Sequence, residues 1–539
     1  MTSTPPSARS PRSRSRYDVV VVGGGHNGLV TAGLLAKRGR SVLVVERRHK
    51  VGGAAVTEQP WGPDYKMTAL SYVVSLMPKT VLQELELERF GYKVYPQHGY
   101  FVPHRDGRTL QMFADPARRH AEISKFSAKD ADAMEKWDAW LGKLADVLGP
   151  LLSTVPPKVG SKAIGDLVGQ LGLAWRLRDL DPAMVGDITR LMSMSVADLL
   201  EDHFESPAVR GVMTVSGIIG TWAGPRSPGT AYVMTHHKIG DVGEGQMGTW
   251  GFTEGGMGGV TQAMRRAAET FGATIRTNAS VERILVDAGQ VSGVVLEGGE
   301  EIYARTVVTT THPKITFLEH LEAKHLPDEF VTAMRRWKTR SGTVKVNLAI
   351  DRLPEFKGKP GFDPEVHGGT IVLAESLDEI EGAFQDAVAG RPATAPFADI
   401  CIPSVFDKTL APEGKHVVSM FTQWVPHTYA DAPHEAELEA YADRLVARVE
   451  ELAPGFTSSI LHRQVIGPHA MEKEYGLVGG NIFHGELSVN QLFHMRPAPG
   501  FADFTTPVRG LFQASSATHG GGGVTGIPAL QVVRRITGG

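Results

Sequence analysis

The first regular stretch of the chain is an unbroken apolar run. In "YDVVVVGGGHNGLVTAGLLAKRGRSVLVVE", Val19 to Val22 are consecutive and β-branched, as in a strand buried on both faces of a parallel sheet. Three glycines follow, then "GLVTAGLLAKRG", whose apolar residues recur at helical spacing and stop at Gly39. "SVLVVE" is a second strand that ends in Glu46. Further on, "GGMGGVTQAMRRAAETFG" predicts a glycine loop and a helix, and "ATIRTNASVERILVDAGQVSGVVLEGGEEIYARTVVTTTHP" alternates like strands and hairpins. "GTVKVNLAI", "GGTIVLAE", "ADICIPSVF" and "HVVSMFTQWV" are four more strands, and "HEAELEAYADRLVARVEELAPG" is an amphipathic helix closed by Pro454 and Gly455. Residues 130–210 read as largely helical, with Leu- and Met-rich faces that suit core packing, cover for an apolar tunnel, or a membrane surface. An apolar helix follows "ATHGGGGVTGIPAL" to the end.

The pattern G-x-G-x-x-G occurs three times, and its surroundings decide what each copy does. At Gly23, Gly25 and Gly28 the context is complete. Gly23 permits the sharp turn, Gly25 leaves room for a pyrophosphate, and Gly28 lets helix and strand pack closely. The helix start offers unpaired N–H groups to the anion, and Glu46 accepts hydrogen bonds from a ribose diol while repelling a 2′-phosphate, despite Arg47 and Arg48. The copy at Gly243, Gly245 and Gly248 has no strand before it and reads as a loop, so no second nicotinamide-binding half is expected. The third, at Gly521, Gly523 and Gly526, comes too late to open a βαβ unit. The pair Gly52 and Gly53, just after Glu46, favours a glutathione-reductase-like FAD fold over a simple NAD dehydrogenase. In such a fold the last strand and helix return to the cofactor, and the third copy becomes the far wall of one FAD site.

Composition narrows the rest. With 539 residues two domains are expected, and 42% apolar with 21% charged residues fits a folded globular protein. A net charge of −3 gives no reason to expect a nucleic-acid partner. Cys401 is the single cysteine, which excludes a redox pair and a cysteine-based metal site; it reads as a small buried strand residue. No metal site is expected. Residues 1–16, rich in Arg, Ser and Pro, read as a disordered tail without a secretory h-region, and as an organelle address if the source is eukaryotic. No stretch is long and apolar enough to span a bilayer.

The chain resembles the phytoene-desaturase-like flavoproteins of the wider amine-oxidase-like FAD superfamily, and within them the subgroup labelled pyridine nucleotide-disulphide oxidoreductase domain-containing protein 2. The resemblance rests on "YDVVVVGGGHNGLVTAGLLAKRGRSVLVVERRHKVGGAAVTE", "SPGTAYVMTHH", "GTWGFTEGGMGGVTQAM", "GGNIFHGELSVNQLFHMRP" and "TPVRGLFQASSATHGGGGVTGIPA", spread from residue 17 to the end. Ala54 stands where the amine-oxidase branch often has Arg, and the run "QASSATHGGGG" lacks the Cys-Gly and Pro found in many relatives. The resemblance implies an α/β chain, with a discontinuous FAD-binding Rossmann domain (17–87, 251–313 and 500–539) and an α+β substrate domain on a mixed sheet (88–250 and 314–499). It implies FAD contacts from Gly23, Gly25, His26, Asn27, Gly28, Glu46, Arg47, Gly52, Gly53, Ala54, Val281 (by its backbone, to adenine), Gly523, Val524 and Gly526.

His519, just before the glycine loop, and His484, in "NIFHGELS", are the candidate acid/base residues. His236 and His237 read as loop packing, and Trp222 and Tyr232 as core or pocket lining. The function expected is an FAD-dependent oxidoreductase that desaturates, saturates or isomerises a small apolar, unsaturated substrate by hydride transfer at flavin N5, with oxygen or a quinone as acceptor. An amine oxidase and an FAD-binding interaction protein of low turnover are the alternatives. The expected compartment is the cytoplasm, or the mitochondrion for a eukaryotic source; a peripheral membrane contact and a homodimer are both compatible with the sequence.

Overall fold

The computed structural model describes residues 16–158, 160–162, 164–240, 242 and 248–538. Residues 1–15 of the tail, and Gly243 and Gly245 of the second glycine pattern, lie outside them. Arg16, assigned to the tail from sequence, is already paired with Tyr303 in the first strand.

Two seven-stranded sheets organise the chain. In the first, the order is Val281–Asp287, Gln290–Leu296, Glu301–Thr309, Arg16–Val22, Val42–Val45, Thr274–Arg276. The last four of these strands run parallel, and their central members are valine-rich because helices and loops cover both faces. Glu301–Thr309 serves two neighbours. Its first half pairs antiparallel with Gln290–Leu296, and its second half pairs parallel with Leu511–Gln513. A strand from the chain's end thus lies two places from the strand at its start.

Helix His26–Lys37 packs against Met257–Thr270 and Ile527–Thr537. The three come from distant parts of the sequence and share one core with Val19, Val21, Val42 and Val44.

The second sheet runs Ile460–Ile466, Thr343–Ile350, His416–Gln423, Phe397–Cys401, Thr370–Leu373, Tyr100–Pro103, Thr109–Met112. It is antiparallel except where Thr370–Leu373 meets Tyr100–Pro103. Every residue of Thr343–Ile350 is buried, so both faces of that strand are interior. Helix Glu435–Leu452 joins the core on this sheet, and helices Ala128–Leu152 and Pro207–Ile218 extend it.

Helix Ile164–Leu177 buries none of its residues. Ile164, Leu167, Val168, Leu171 and Trp175 share one face and lie in solvent, contrary to ordinary core packing. Among the described residues no helix is long and apolar enough to cross a membrane.

Candidate active site

A long groove starts at the end of the first strand. Gly23 turns the chain with φ 101°, a conformation open to glycine. A Cβ on Gly28 would overlap the Gly23 carbonyl oxygen, so the helix can sit this close to the strand only with glycine there. Gly25 bridges Gly52, and a Cβ on Gly53 would lie 3.3 Å from Gly25 Cα. The two glycine turns therefore face each other and leave the start of helix His26–Lys37 open. Thr310 fixes the turn from below, donating to the carbonyls of Val22 and Gly23, both at 3.1 Å.

Glu46 is buried, and its carboxylate closes the other side. Oε2 accepts from Gly24 N at 2.7 Å and Oε1 from Arg48 N at 2.9 Å. The cavity so formed, about 340 Å³, is lined by Gly23, Gly25, His26, Asn27, Glu46, Arg47, Gly52, Gly53, Ala54 and Val281. The structure thus gathers these residues from four parts of the chain. Gly28 shapes the turn without facing the cavity. Arg47 is fixed by donating to the carbonyls of Lys473 and Glu474, at 3.0 and 2.9 Å.

His26, Ala54, Leu477, His484 and Ser516 line this groove and also a second cavity, of about 150 Å³, so the two are continuous. The second is closed by residues 522–524, which include Gly523 and Val524. His26 and Gly523 line this cavity together, so the first helix and the C-terminal loop meet there.

Several buried polar atoms along the groove lack a protein partner: His26 Nε2, Asn27 Oδ1, His484 Nδ1 and His320 Nδ1. Buried polar atoms are nearly always paired, so this row fits an elongated polar ligand, and with the glycine turns and Glu46 it fits a flavin dinucleotide. Burial drives the His26 pKa down to about 4. Burial, with the neighbouring His26 and Arg496, drives His484 to about 3. Both imidazoles are therefore neutral. His484 is held at φ 57° by its carbonyl, which accepts from Trp337 Nε1 at 2.9 Å and His312 Nε2 at 3.0 Å.

One wall of the second cavity is apolar, formed by Leu70, Val73, Leu76, Ile219, Ile482 and Phe483. The opposite wall is the second sheet, and it carries charge. Lys345 and Asp399 both line the cavity and are almost fully buried. Lys345 Nζ donates to Ser419 Oγ and stands 4.8 Å from the centre of the Tyr72 ring. Tyr72 OH donates to Asp399 Oδ2 at 3.1 Å, while Asp399 Oδ1 has no partner. Burial lowers the Lys345 pKa to about 7. Burial, partly offset by the Tyr72 bond, raises Asp399 to about 7. A larger chamber of about 400 Å³ continues outward past Gln97, Tyr100, Ser216, His237 and Trp250.

The structure does not bring His519 to either cavity. Its Nε2 donates to the Leu151 carbonyl at 2.9 Å, at the end of helix Ala128–Leu152, and its ring packs near Phe493. Gly520 is in a left-handed conformation and runs close under Leu152, which turns His519 away from the loop's flavin-facing side. Gly526 caps helix Ile527–Thr537 at φ 72° and lines neither cavity. His237 lines the second cavity; His236 and Tyr232 lie in a small separate pocket, and Trp222 packs on Phe384 and His427.

Three participants escape the sequence reading: Lys345, Asp399 and Arg496. The signal for the first two is a lone charge in a strand otherwise apolar enough to be interior. Arg496 is buried under the C-terminal loop. It donates to the carbonyls of Phe483 (2.7 Å), Ser516 (3.1 Å), Thr518 (3.2 Å) and Gln491 (3.4 Å), and no carboxylate pairs with it among the described residues. Cys401 is buried and free, its thiol pushed up to about 12 by burial.

The chain is 37% identical over 535 residues to rat pyridine nucleotide-disulfide oxidoreductase domain-containing protein 2, covering 95% of this chain and 92% of that one. It is 25% identical over 528 residues to the zeta-carotene-forming phytoene desaturase of Myxococcus xanthus, covering 96% and 92%. Among solved structures, a triple mutant of putrescine oxidase superposes with a TM-score of 0.59 at 17% identity, covering 97% and 98%. The disulfide in the rat protein's name has no counterpart here, because Cys401 is the sole cysteine. Residues 28–526 match the flavin containing amine oxidoreductases; with a dinucleotide groove beside a second cavity, the chain belongs to that family and takes FAD as its cofactor.

Proposed function

We infer that the chain dehydrogenates a largely apolar, unsaturated substrate, passing hydride to FAD. The observation that supports this reading is the continuity of the dinucleotide groove with a cavity walled by Leu70, Val73, Leu76, Ile219 and Ile482. The name of the Myxococcus relative points to the same substrate class.

Bound FAD supplies a two-electron acceptor at N5. The chain positions both reactants. N–H groups at the start of helix His26–Lys37 would hold the diphosphate, and Glu46 would accept from ribose hydroxyls. Residues 522–524, which line the second cavity, would hold the flavin ring of a bound FAD from the side of the C-terminal loop. His26 and His484, neutral and each with an unpartnered ring nitrogen, orient polar edges without adding charge. The aliphatic wall excludes water. Oxygen or a quinone is the proposed acceptor of the electrons afterwards.

Amine oxidation is the weaker reading. The likeness to putrescine oxidase carries the scaffold alone, and the wall of Leu70, Val73, Leu76, Ile219 and Ile482 suits a hydrocarbon chain better than a charged amine. An anaerobic screen of polyenes, lipids and amines for bleaching near about 450 nm tests the proposal. Bleaching by unsaturated apolar compounds is expected. Bleaching by amines alone would replace the reading with amine oxidation, and no bleaching by any compound would replace it with an interaction role.

A further inference from the structure

The cavity wall formed by Tyr72, Lys345 and Asp399 is more polar than a hydrocarbon requires. We propose that it is a subsite for a neutral oxygen-bearing head group, a hydroxyl or carbonyl, on an otherwise apolar substrate. The inference rests on the proposed function and names its substrate more closely.

Geometry carries the argument. Lys345 and Asp399 both stand opposite Phe421, one from each neighbouring strand, so both project from one face of the sheet into the same cavity. Asp399 is 3% exposed, and its Oδ1 has no hydrogen-bond partner among the described residues. Lys345 is 1% exposed, and its ammonium has three donors against the single acceptor Ser419 Oγ. Tyr72 spans the pair, its ring near Nζ and its hydroxyl on Oδ2, but satisfies neither remaining need. A hydrocarbon against this wall would leave Oδ1 unpaired and buried, which buried polar groups seldom tolerate.

Charge selects among polar head groups. The wall holds one acid and one base. With both ionised or both neutral its net charge is zero, and their pKa values, both near 7 through burial, make the two forms close in energy. Tyr100 and Cys401, also close by, have pKa values raised by burial and stay neutral. An ammonium or a carboxylate head would itself have to be stripped of water here and would require Lys345 or Asp399 to change its protonation state to balance it, a cost that a hydroxyl or carbonyl avoids. A hydroxyl donates to the ionised Asp399 and accepts from Lys345. A carbonyl accepts from the protonated acid or from Lys345.

The test is ligand binding to the FAD-loaded full chain, followed by perturbation of the flavin spectrum, with probes on one ten-carbon skeleton: myrcene, geraniol, geranial, geranylamine and geranic acid. Geraniol or geranial should bind at least about tenfold tighter than myrcene and tighter than the amine and the acid. In Asp399→Leu that preference over myrcene should fall to within about threefold at unchanged FAD content, and Tyr72→Phe, a milder change, should reduce it in the same direction. Equal binding of myrcene, tighter binding of the amine or acid, failure of geraniol to bind, or a preference that survives in both variants overturns the assignment. Binding is read without turnover. Flavin reduction by hydrocarbons alone would therefore sink this subsite and leave the hydride-transfer reading standing.

Discussion

Lys345 and Asp399 are both cross-strand partners of Phe421, so a buried base and a buried acid flank one aromatic residue on the wall of the second cavity. Two opposite pH dependences of stability follow. Asp399 holds its proton up to about pH 7 when folded, against 3.8 when exposed. Between those values the folded state binds more protons, so stability falls as pH rises. Asp399→Asn should therefore raise stability above pH 7 and change little near pH 4. Lys345 loses its proton at about 7 when folded, against 10.5 when exposed. Across that window the unfolded state binds more protons, so stability rises with pH. Lys345→Met should raise stability below pH 7 and change little near pH 10. Each slope is at most about 1.4 kcal/mol per pH unit, and urea unfolding across pH checks both.

The turn at Gly23 and Gly28 fails with one added methyl. Gly28→Ala forces a carbon into the Gly23 carbonyl and should yield protein without bound flavin, read as the ratio of absorbance at about 450 nm to that of protein. Gly39→Ala, at a left-handed position with nothing within 4 Å, should keep its FAD and lose about 1–2 kcal/mol of stability.

Arg496 is a buried cation answered by four carbonyls and by the Trp337 ring 5.4 Å away, with no carboxylate on it among the described residues, directly beneath the loop that closes the cofactor site. A positive charge there favours the reduced, anionic flavin. Arg496→Met should lower the midpoint potential of bound FAD, measured by equilibration with a reference dye. Arg496→Lys should lower stability as much while largely keeping the potential. Equal potentials in all three proteins would make the residue purely structural.

His519 anchors its loop to the end of a helix instead of meeting the cofactor. His519→Ala should leave the rate of flavin reduction unchanged. It should cost about 0.5–1.5 kcal/mol of stability, because the Leu151 carbonyl loses one donor while keeping Thr154 N.

The outward face of helix Ile164–Leu177 contributes nothing to the core. Val168→Lys with Leu171→Lys should change the unfolding free energy by no more than about 0.5 kcal/mol per site.

What could be read from the chain before its structure was mostly local. The turn from Val22 to Gly28 and the acid at Glu46 are fixed by spacing within one βαβ unit, and steric and hydrogen-bonding rules assign each residue a task. The strands around Lys345 and Asp399 were visible too. That these two face one cavity was not, because it depends on strand register between segments some fifty residues apart, which pattern alone does not set. His519 misled for a related reason. Its closeness in sequence to Gly523 says nothing about direction, which the left-handed turns at Gly520 and Gly522 decide. Arg496 carried no local signal of its role, since two of its carbonyl partners, Ser516 and Thr518, come from the C-terminal loop and meet it only in the fold.

The central claim is that a substrate in the cavity gives its hydride to FAD in the adjoining groove. A single turnover without oxygen tests it most directly: the FAD-loaded chain is mixed with an excess of an unsaturated apolar substrate, and flavin absorbance and product are followed together. The account predicts full bleaching with one dehydrogenated product per FAD. Product formed while the flavin stays oxidised, or a flavin that no such substrate reduces, would contradict it.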